Sequence, residues 1–156
     1  MPIAEIVSIG TELLFGETVD TNAAALGAEL PQYGISHYFR QTVGDNPERM
    51  LQALRLALSR SDIVFTIGGL GPTEDDITRE AVAQALGDTL VLDSVYAERL
   101  KRLFAQRGLP WLDTQLRQAY RPSSATPIEN PNGTAPGLHC EKDGKHVFLM
   151  PGPRGE

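Results

Sequence analysis

Residues 66–81 of the chain read TIGGLGPTEDDITREA, so an apolar β-branched run gives way to three glycines within four residues. The run 62–67 predicts a buried strand, and the apolar spacing of Ile77, Ala81 and Ala85 predicts a helix after the glycines. Glycine lets a backbone approach a ligand closely because it has no Cβ. A helix start adds unpaired N–H groups and a partial positive charge. The stretch therefore predicts a strand, a phosphate-binding loop and a helix, in that order.

Asp75 and Asp76 follow the glycine loop and are expected to open this helix. Carboxylate oxygens beside a bound phosphate suit Mg²⁺ or a similar divalent cation. The simpler alternative is helix capping, which stabilises a helix by about 1 kcal/mol. Two successive aspartates cannot both cap, so we expect one of them to be free for a metal ion or a water.

The rest of the chain alternates strand patterns with amphipathic helix patterns. Buried strands are predicted over 4–9, 35–43 and 62–67. Helices are predicted after Asp20, from Asn46, after Asp76 and over 94–107, and a hairpin over 138–150 with Asp143 and Gly144 in its turn. The region 121–137 holds four prolines and two glycines and is expected to be mostly loop. This alternation predicts one α/β domain over 1–156: a three-layer α/β/α architecture, a mostly parallel sheet with helices on both faces, plus a small C-terminal β-hairpin.

Three polar, glycine-containing loops follow predicted strands: 10–12, 44–46 and 68–76. The carboxyl ends of parallel strands share one edge of a sheet, where α/β domains bind ligands. Asp45 is therefore a third candidate metal ligand beside Asp75 and Asp76. For Glu12, a role as general base and a role as an ordinary exposed acid both stay open, and Asn22 is expected either to stabilise its helix or to bind a ribose or base.

Composition excludes several classes of protein. The formal net charge of −6 provides no basic excess for general nucleic-acid binding. The single Cys140 rules out an intrachain disulfide and a cysteine-rich metal cluster. No apolar segment resembles a signal peptide or a membrane span, so a cytoplasmic protein without a membrane or nucleic-acid partner is expected.

Several motifs resemble the molybdopterin-binding domain family of MoaB and Mog, and in particular its CinA (competence/damage-inducible) branch. They are GTELLFG at 10–16, DTN at 20–22, GGLGPTEDDIT from Gly68, NPNGTAPG at 130–137, and the apolar strand leading into Met150-Pro151-Gly152. The resemblance follows the family's order over almost the whole chain. Beyond Gly152 the chain departs from the family pattern, so no site residue is predicted there.

The resemblance implies a domain of the molybdopterin-binding type. In the CinA branch it implies metal-dependent hydrolysis of ADP-ribose to AMP and ribose 5-phosphate, and in related branches it implies binding or adenylylation of molybdopterin. A divalent cation (Mg²⁺, Mn²⁺ or Co²⁺), molybdopterin as a ligand and a homodimer or homotrimer are expected, whereas the C-terminal deamidase domain of CinA proteins is expected to be absent. The implied ligand-binding residues are Gly10, Thr11, Asn22, Gly68, Gly69, Leu70, Gly71, Pro72, Thr73, Asn130, Gly133, Thr134, Ala135 and Pro136.

The hypothesis is a metal-dependent pyrophosphatase acting on ADP-ribose or a related nucleotide diphosphate. Backbone N–H groups of 68–73 would hold the diphosphate, and Asp75, Asp76 and Asp45 would position the cation that activates water. Glu12 is the candidate general base. Two alternatives remain: a non-catalytic domain that binds molybdopterin or a nucleotide, and a module whose main role is oligomerisation.

Overall fold

The structure, a computed structural model, describes residues 1–156 and is built on eight strands and five α-helices. The strands are β1 (Ile3–Ile9), β2 (Ser36–Val43), β3 (Ile63–Ile67), β4 (Leu90–Leu92), β5 (Tyr120–Pro122), β6 (Ala125–Ile128), β7 (Gly137–Lys142) and β8 (Lys145–Met150). The α-helices are α1 (Thr11–Leu14), α2 (Thr21–Glu29), α3 (Pro47–Arg60), α4 (Thr78–Leu86) and α5 (Ser94–Gln106). Two 3-10 helices span Leu30–Tyr33 and Asp113–Ala119.

Six strands form the main sheet in the order β2-β1-β3-β8-β7-β6. The first four run parallel to one another, β7 runs antiparallel to β8, and β6 runs antiparallel to β7, so the predicted mostly parallel sheet is confirmed. The predicted hairpin is also present, with Asp143 and Gly144 at positive φ in its turn. It belongs to the main sheet because β8 pairs with β3 from Ile63 opposite His146 to Ile67 opposite Met150. The end of β8 therefore lies at the same edge as the ends of β1, β2 and β3.

Helices cover both faces of this sheet, which confirms the three-layer architecture. On one face, α3 and α4 pack against the larger core, which includes Val7, Val64 and Leu149. On the other face, Ala23 of α2 packs with Ile6 in a smaller core. None of the helices has the length and hydropathy needed to cross a membrane.

Local signals set the helix ends. The side chain of Asp20 accepts a hydrogen bond from the N–H of Ala23 at the start of α2, and Asn46 does the same for Arg49 in α3. Helix α2 ends before Pro31, because proline removes a helical hydrogen bond, and the 3-10 helix that follows ends at Gly34, which adopts a left-handed conformation.

One expectation was wrong, and one region holds strands that the sequence pattern did not reveal. Asp75 and Asp76 do not open the helix: α4 begins at Thr78, and its N-cap residue, Ile77, makes no side-chain cap hydrogen bond. The region 121–137, expected to be mostly loop, also contains most of β5 and all of β6. These strands were missed because they are short and carry prolines, which interrupt the alternation that marks a strand.

Candidate ligand-binding site

A cavity of about 680 Å³ lies at the carboxyl ends of β1, β3 and β8. Its walls are the loops after β1, β2, β3 and β8, together with Gln118 and residues 134–135. Strand order reverses between β1 and β3, and in α/β sheets ligands bind at such points. The sequence-predicted residues that line the cavity are Gly10, Glu12, Asn22, Asp45, Gly68, Gly69, Leu70, Gly71, Pro72, Thr73, Asp75, Asp76, Thr134 and Ala135.

Three successive carbonyl groups of the glycine loop accept hydrogen bonds from the first residues of α4. The hydroxyl of Thr78 donates to the Gly68 oxygen at 2.8 Å, and the Thr78 N–H donates to the Gly69 oxygen at 3.2 Å. The guanidinium of Arg79 donates to the Leu70 oxygen at 2.5 Å. The first turn of α4 thus fixes the orientation of three consecutive peptide groups.

The N–H groups of Gly69, Leu70 and Gly71 belong to these same peptide groups. In a trans peptide the N–H points opposite to the C=O, so all three point away from α4, and all three residues line the cavity. None of the three N–H groups has a hydrogen-bond acceptor within the protein. Consecutive free N–H groups in such a loop form a concave anion-binding nest, and we use the name N–H nest for Gly69, Leu70 and Gly71.

Glycine is required where the loops of the site approach one another. Gly68 adopts a φ of +106°, and a Cβ there would lie 2.5 Å from the Ile9 oxygen. A Cβ on Gly152 would lie 3.3 Å from the Gly68 Cα. The loops after β1, β3 and β8 therefore meet at backbone distance.

Asp76 closes the loop that carries the N–H nest. Its Oδ2 accepts hydrogen bonds from the Thr73 N–H at 3.0 Å and the Thr73 hydroxyl at 2.6 Å. Arg117 donates to the Asp76 carbonyl oxygen and to the Glu80 carboxylate, each at 3.1 Å. The neighbouring Asp75 is exposed and makes no side-chain hydrogen bond within the protein.

The loops after β1 and β2 are joined by Thr11 and Asp45. The Thr11 N–H donates to the Asp45 carboxylate at 3.3 Å, and the Asp45 N–H donates to the Thr11 hydroxyl at 3.0 Å. Thr11 thus braces the rim without lining the cavity, whereas the exposed Glu12 lines it.

The predicted metal ligands do not assemble into a metal site. Asp45, Asp75 and Asp76 all line the cavity, but no group of three or more Asp, Glu, His or Cys side chains could hold a metal ion. One of the three, Asp76, is already bonded to Thr73. The protein side chains alone therefore form no complete cation site, and a divalent cation in this cavity would also need phosphate oxygens of a ligand or waters as ligands.

The segment 130–136 divides between two cavities. Thr134 and Ala135 line the main cavity, while Asn130 and Gly133 line a second one of about 480 Å³ beside α5. Pro136 is buried and lines neither cavity. The predicted site residues Asn130, Gly133 and Pro136 therefore lie outside the main cavity.

Sequence reasoning missed several lining residues. The last residues of the chain line the cavity because β8 delivers them to the shared rim, and Gln118 reaches it from a 3-10 helix that carries no motif. Asp20 was identified as part of the motif at 20–22 but not as a site residue. The remaining lining side chains lie in the loop after β1, in the strand ends and in the tail: Ile9, Leu13, Thr18, Val19, Thr21, Ile67, Pro151, Gly152, Pro153, Arg154 and Glu156.

Comparison with known proteins assigns the chain to a family. Residues 5–156 match the family described as a probable molybdopterin binding domain. The chain is 49% identical over 151 residues to a proposed competence-damage inducible protein of Caldicellulosiruptor bescii, and 47% identical over 152 residues to a CinA-like protein of Dictyoglomus turgidum. Each alignment covers 97% of this chain but 37% of the relative, so the chain spans little more than a third of their length.

Solved structures show the same fold. The crystal structure of CinA from Thermoplasma acidophilum, a protein of unknown function, superposes with a TM-score of 0.90 at 39% identity, covering 97% of this chain and 89% of that one. The molybdopterin biosynthesis enzyme MoaB of Thermus thermophilus superposes with a TM-score of 0.62 at 24% identity, covering 98% and 82%. The chain therefore belongs to the molybdopterin-binding domain family, and its relatives within that family are the CinA, or competence-damage inducible, proteins.

Proposed function

We propose that the cavity binds a small phosphorylated ligand of the molybdopterin or nucleotide class, with its phosphate on the N–H nest. The observation that carries the proposal is the row of three N–H groups that have no acceptor within the protein and line the cavity. Buried or cleft-lining N–H groups are almost always bonded, so such a row is typical of an anion site. The family match supports a pterin or nucleotide as the ligand class.

The size and lining of the cavity agree with such a ligand. A volume of about 680 Å³ falls within the range of roughly 300–1,000 Å³ for small-molecule sites. Leu13 and Val19, in the segment after β1, add apolar surface to the lining. The cavity can thus offer N–H groups to a phosphate and apolar surface to a ring.

Hydrolysis of ADP-ribose is the second candidate, and one observation favours it. Six acidic side chains and one basic side chain, Arg154, line the cavity; the acids are Glu12, Asp20, Asp45, Asp75, Asp76 and Glu156. Such a lining disfavours a polyanion unless cations accompany it. Binding without turnover has the stronger support, because the family match is to a binding domain and no three of these acids are placed to hold a metal by themselves.

Calorimetric titration with AMP and ADP-ribose tests the proposal, first in excess chelator and then with Mg²⁺, Mn²⁺ or Co²⁺. We expect saturable binding of both in chelator. Chromatography of the ADP-ribose mixtures tests the second candidate, since release of AMP and ribose 5-phosphate only with a cation would establish hydrolysis. If neither AMP nor ADP-ribose binds saturably, with or without a cation, the proposal is overturned and a module whose main role is oligomerisation is favoured.

A further inference from the structure

Arg79 is a buried cation directly behind the N–H nest. Its side chain is 1% exposed, among the largest fully buried side chains of the protein. One guanidinium nitrogen donates to the Leu70 oxygen at 2.5 Å, while the buried Nε has no hydrogen-bond partner. Arg79 does not line the cavity, so it can act on a ligand only through the loop.

The charge of Arg79 has no ion-pair partner. Its nearest acidic neighbour in sequence, Glu80, forms its salt bridge with Arg117 instead. Burying an unpaired charge is costly, because neither water nor a counter-ion compensates it. Burial lowers the pKa of Arg79 to about 10, with the charges of Glu80, Asp76 and Tyr96 opposing that effect and the charge of Arg117 adding to it. The guanidinium thus remains charged at neutral pH.

A single peptide group lies between the guanidinium of Arg79 and the cavity. The guanidinium binds the carbonyl of the Leu70–Gly71 peptide group, and the N–H of that same peptide group is part of the N–H nest. A cation on the oxygen polarises the peptide and strengthens its N–H as a donor, since hydrogen bonds in series reinforce one another. The same cation also attracts an anion across the loop.

We propose that Arg79 is a positioning residue whose buried charge is compensated by the ligand's phosphate, so that the site favours a dianionic phosphate over a monoanionic one. The inference rests on the proposed function, because it needs a phosphate on the N–H nest. The inference adds to that function an explanation of how the site distinguishes a dianionic phosphate from a monoanionic one. The charged side chains that line the cavity are mostly acidic, so the affinity for a dianion is then provided by the cation behind the loop.

The alternative is that Arg79 only tethers the loop. A tether would affect the folding of the loop equally for every ligand, whereas a compensating charge affects the dianion more. AMP separates the two, because its phosphate changes from monoanion to dianion with a pKa of about 6. Its affinity can therefore be measured in excess chelator at about pH 5 and about pH 7.5, on either side of that value.

Three variants share the test. Arg79→Met removes the charge and the donor, Arg79→Gln keeps an amide donor without the charge, and Arg79→Lys keeps the charge. At the higher pH we expect Arg79→Met and Arg79→Gln to bind AMP at least ~30-fold more weakly than wild type, and Arg79→Lys to remain within ~5-fold, since a buried charge without a partner strongly favours an opposite charge nearby. Wild type should gain AMP affinity from the lower to the higher pH. This gain should be smaller in Arg79→Met and Arg79→Gln and should persist in Arg79→Lys.

Arg60→Met is the matched control. Arg60 pairs with Glu5 near the opposite end of the sheet, so its loss should lower the melting temperature without changing AMP affinity. If Arg79→Met does not fold, Arg79→Gln is compared with wild type instead. A second measurement needs no variant: the NMR resonance of the Arg79 Nε–H in the wild type should shift on AMP titration.

The outcomes distinguish the inference from the proposed function. If AMP, ADP-ribose and inorganic pyrophosphate all fail to bind the wild type, the phosphate site itself is wrong, and the inference falls with it. If the wild type binds AMP but the Met and Gln variants keep its affinity and its pH dependence, or the Nε–H resonance stays unmoved, Arg79 is only a tether. The proposed function would then stand.

Discussion

The side-chain amide of Asn22 donates a hydrogen bond to the carbonyl oxygen of Gly152 at 2.9 Å, across 130 positions of sequence. It joins the first turn of α2 to the loop after β8, and both residues line the cavity. The side-chain nitrogen of Asn22 therefore links two walls of the cavity. Neither role expected for Asn22, stabilising its own helix or contacting a ribose or base, accounts for this bond.

Replacing Asn22 by alanine is expected to loosen the loop after β8. Loss of one such hydrogen bond costs about 0.5–1.5 kcal/mol, which corresponds to a small fall in melting temperature. We expect AMP affinity to fall as well, because the wall contributed by Gly152 is no longer held. Gln52→Ala, on the exposed face of α3, is the control and should change neither property. Unchanged AMP affinity in Asn22→Ala would show that the link is dispensable for binding.

Gly69→Ala is expected to abolish AMP binding. Gly69 adopts a φ of +71°, and a Cβ there would collide with the Thr78 hydroxyl that holds the Gly68 carbonyl. The side chain would thus disturb the back of the loop rather than reach into the phosphate position. Calorimetric titration measures the loss.

Gly34→Ala is the matched control for Gly69→Ala. Gly34 adopts nearly the same φ, +70°, but a Cβ there meets nothing within 4 Å. Both variants therefore carry the left-handed strain of about 1–2 kcal/mol, while only Gly69→Ala carries the collision. Equal AMP affinity in the two variants would contradict the structural argument.

Asp76 and Asp75 are expected to differ on replacement by alanine. Asp76→Ala removes the acceptor of both Thr73 hydrogen bonds, so stability should fall by about 1–2 kcal/mol, and AMP binding should weaken as the loop opens. Asp75→Ala removes no hydrogen bond and should leave the melting temperature unchanged. Asp76→Asn keeps an acceptor oxygen and should restore stability. If Asp76→Asn instead loses a cation-dependent part of ADP-ribose binding, a metal role for Asp76 is established.

Glu5 is expected to make the free energy of unfolding depend on pH in the acidic range. Burial raises the pKa of Glu5, but hydrogen bonds from Arg60, Gln41 and Ser61 and the charge of Arg60 lower it by more, so the net shift is downward. A folded-state pKa below the unfolded value, about 4.3, means that Glu5 stabilises the fold above that pH. The contribution is lost as pH falls through the lower, folded pKa.

Denaturation from about pH 7 to about pH 2 measures this effect. The free energy of unfolding should fall with acidification below about pH 4.3, and Glu5→Gln should be less stable at neutral pH with a flatter acidic limb. Glu17→Gln, at an exposed position without an ion pair, serves as the control. An unaltered acidic limb in Glu5→Gln would assign the pH dependence to other carboxylates.

Cys140 is expected to be unreactive in the folded protein. It is fully buried in β7, and burial raises the pKa of its thiol to about 12, so almost no thiolate exists at neutral pH. A thiol reagent should modify the native protein only at the rate of unfolding and the denatured protein at once. Because Cys140 is the sole cysteine, the rate directly reports opening of the larger core. Rapid modification of the native protein would mean that β7 opens locally.

The local parts of the fold could be predicted from the sequence. Asn46 and Pro47 start α3, Gly34 ends the helical segment after α2, and the glycine loop follows β3, because each depends on conformations that a few adjacent residues prefer. The meeting of three loops at one edge also follows from a parallel sheet. Residues that act locally thus carry their structural meaning in the sequence itself.

Which strands and loops lie beside one another was decided only by the tertiary structure. Hydrophobic periodicity shows which face of a strand is buried but not which strand lies beside it, so the place of β8 next to β3 could not be read from the pattern. That place brings Gly152 to Gly68 and to Asn22. Likewise, Arg79 sits at a helix position where an arginine is ordinarily exposed, and only packing reveals that it is buried behind Leu70. A hydrogen bond between distant residues depends on where the packed elements place two atoms, which no short stretch of sequence encodes.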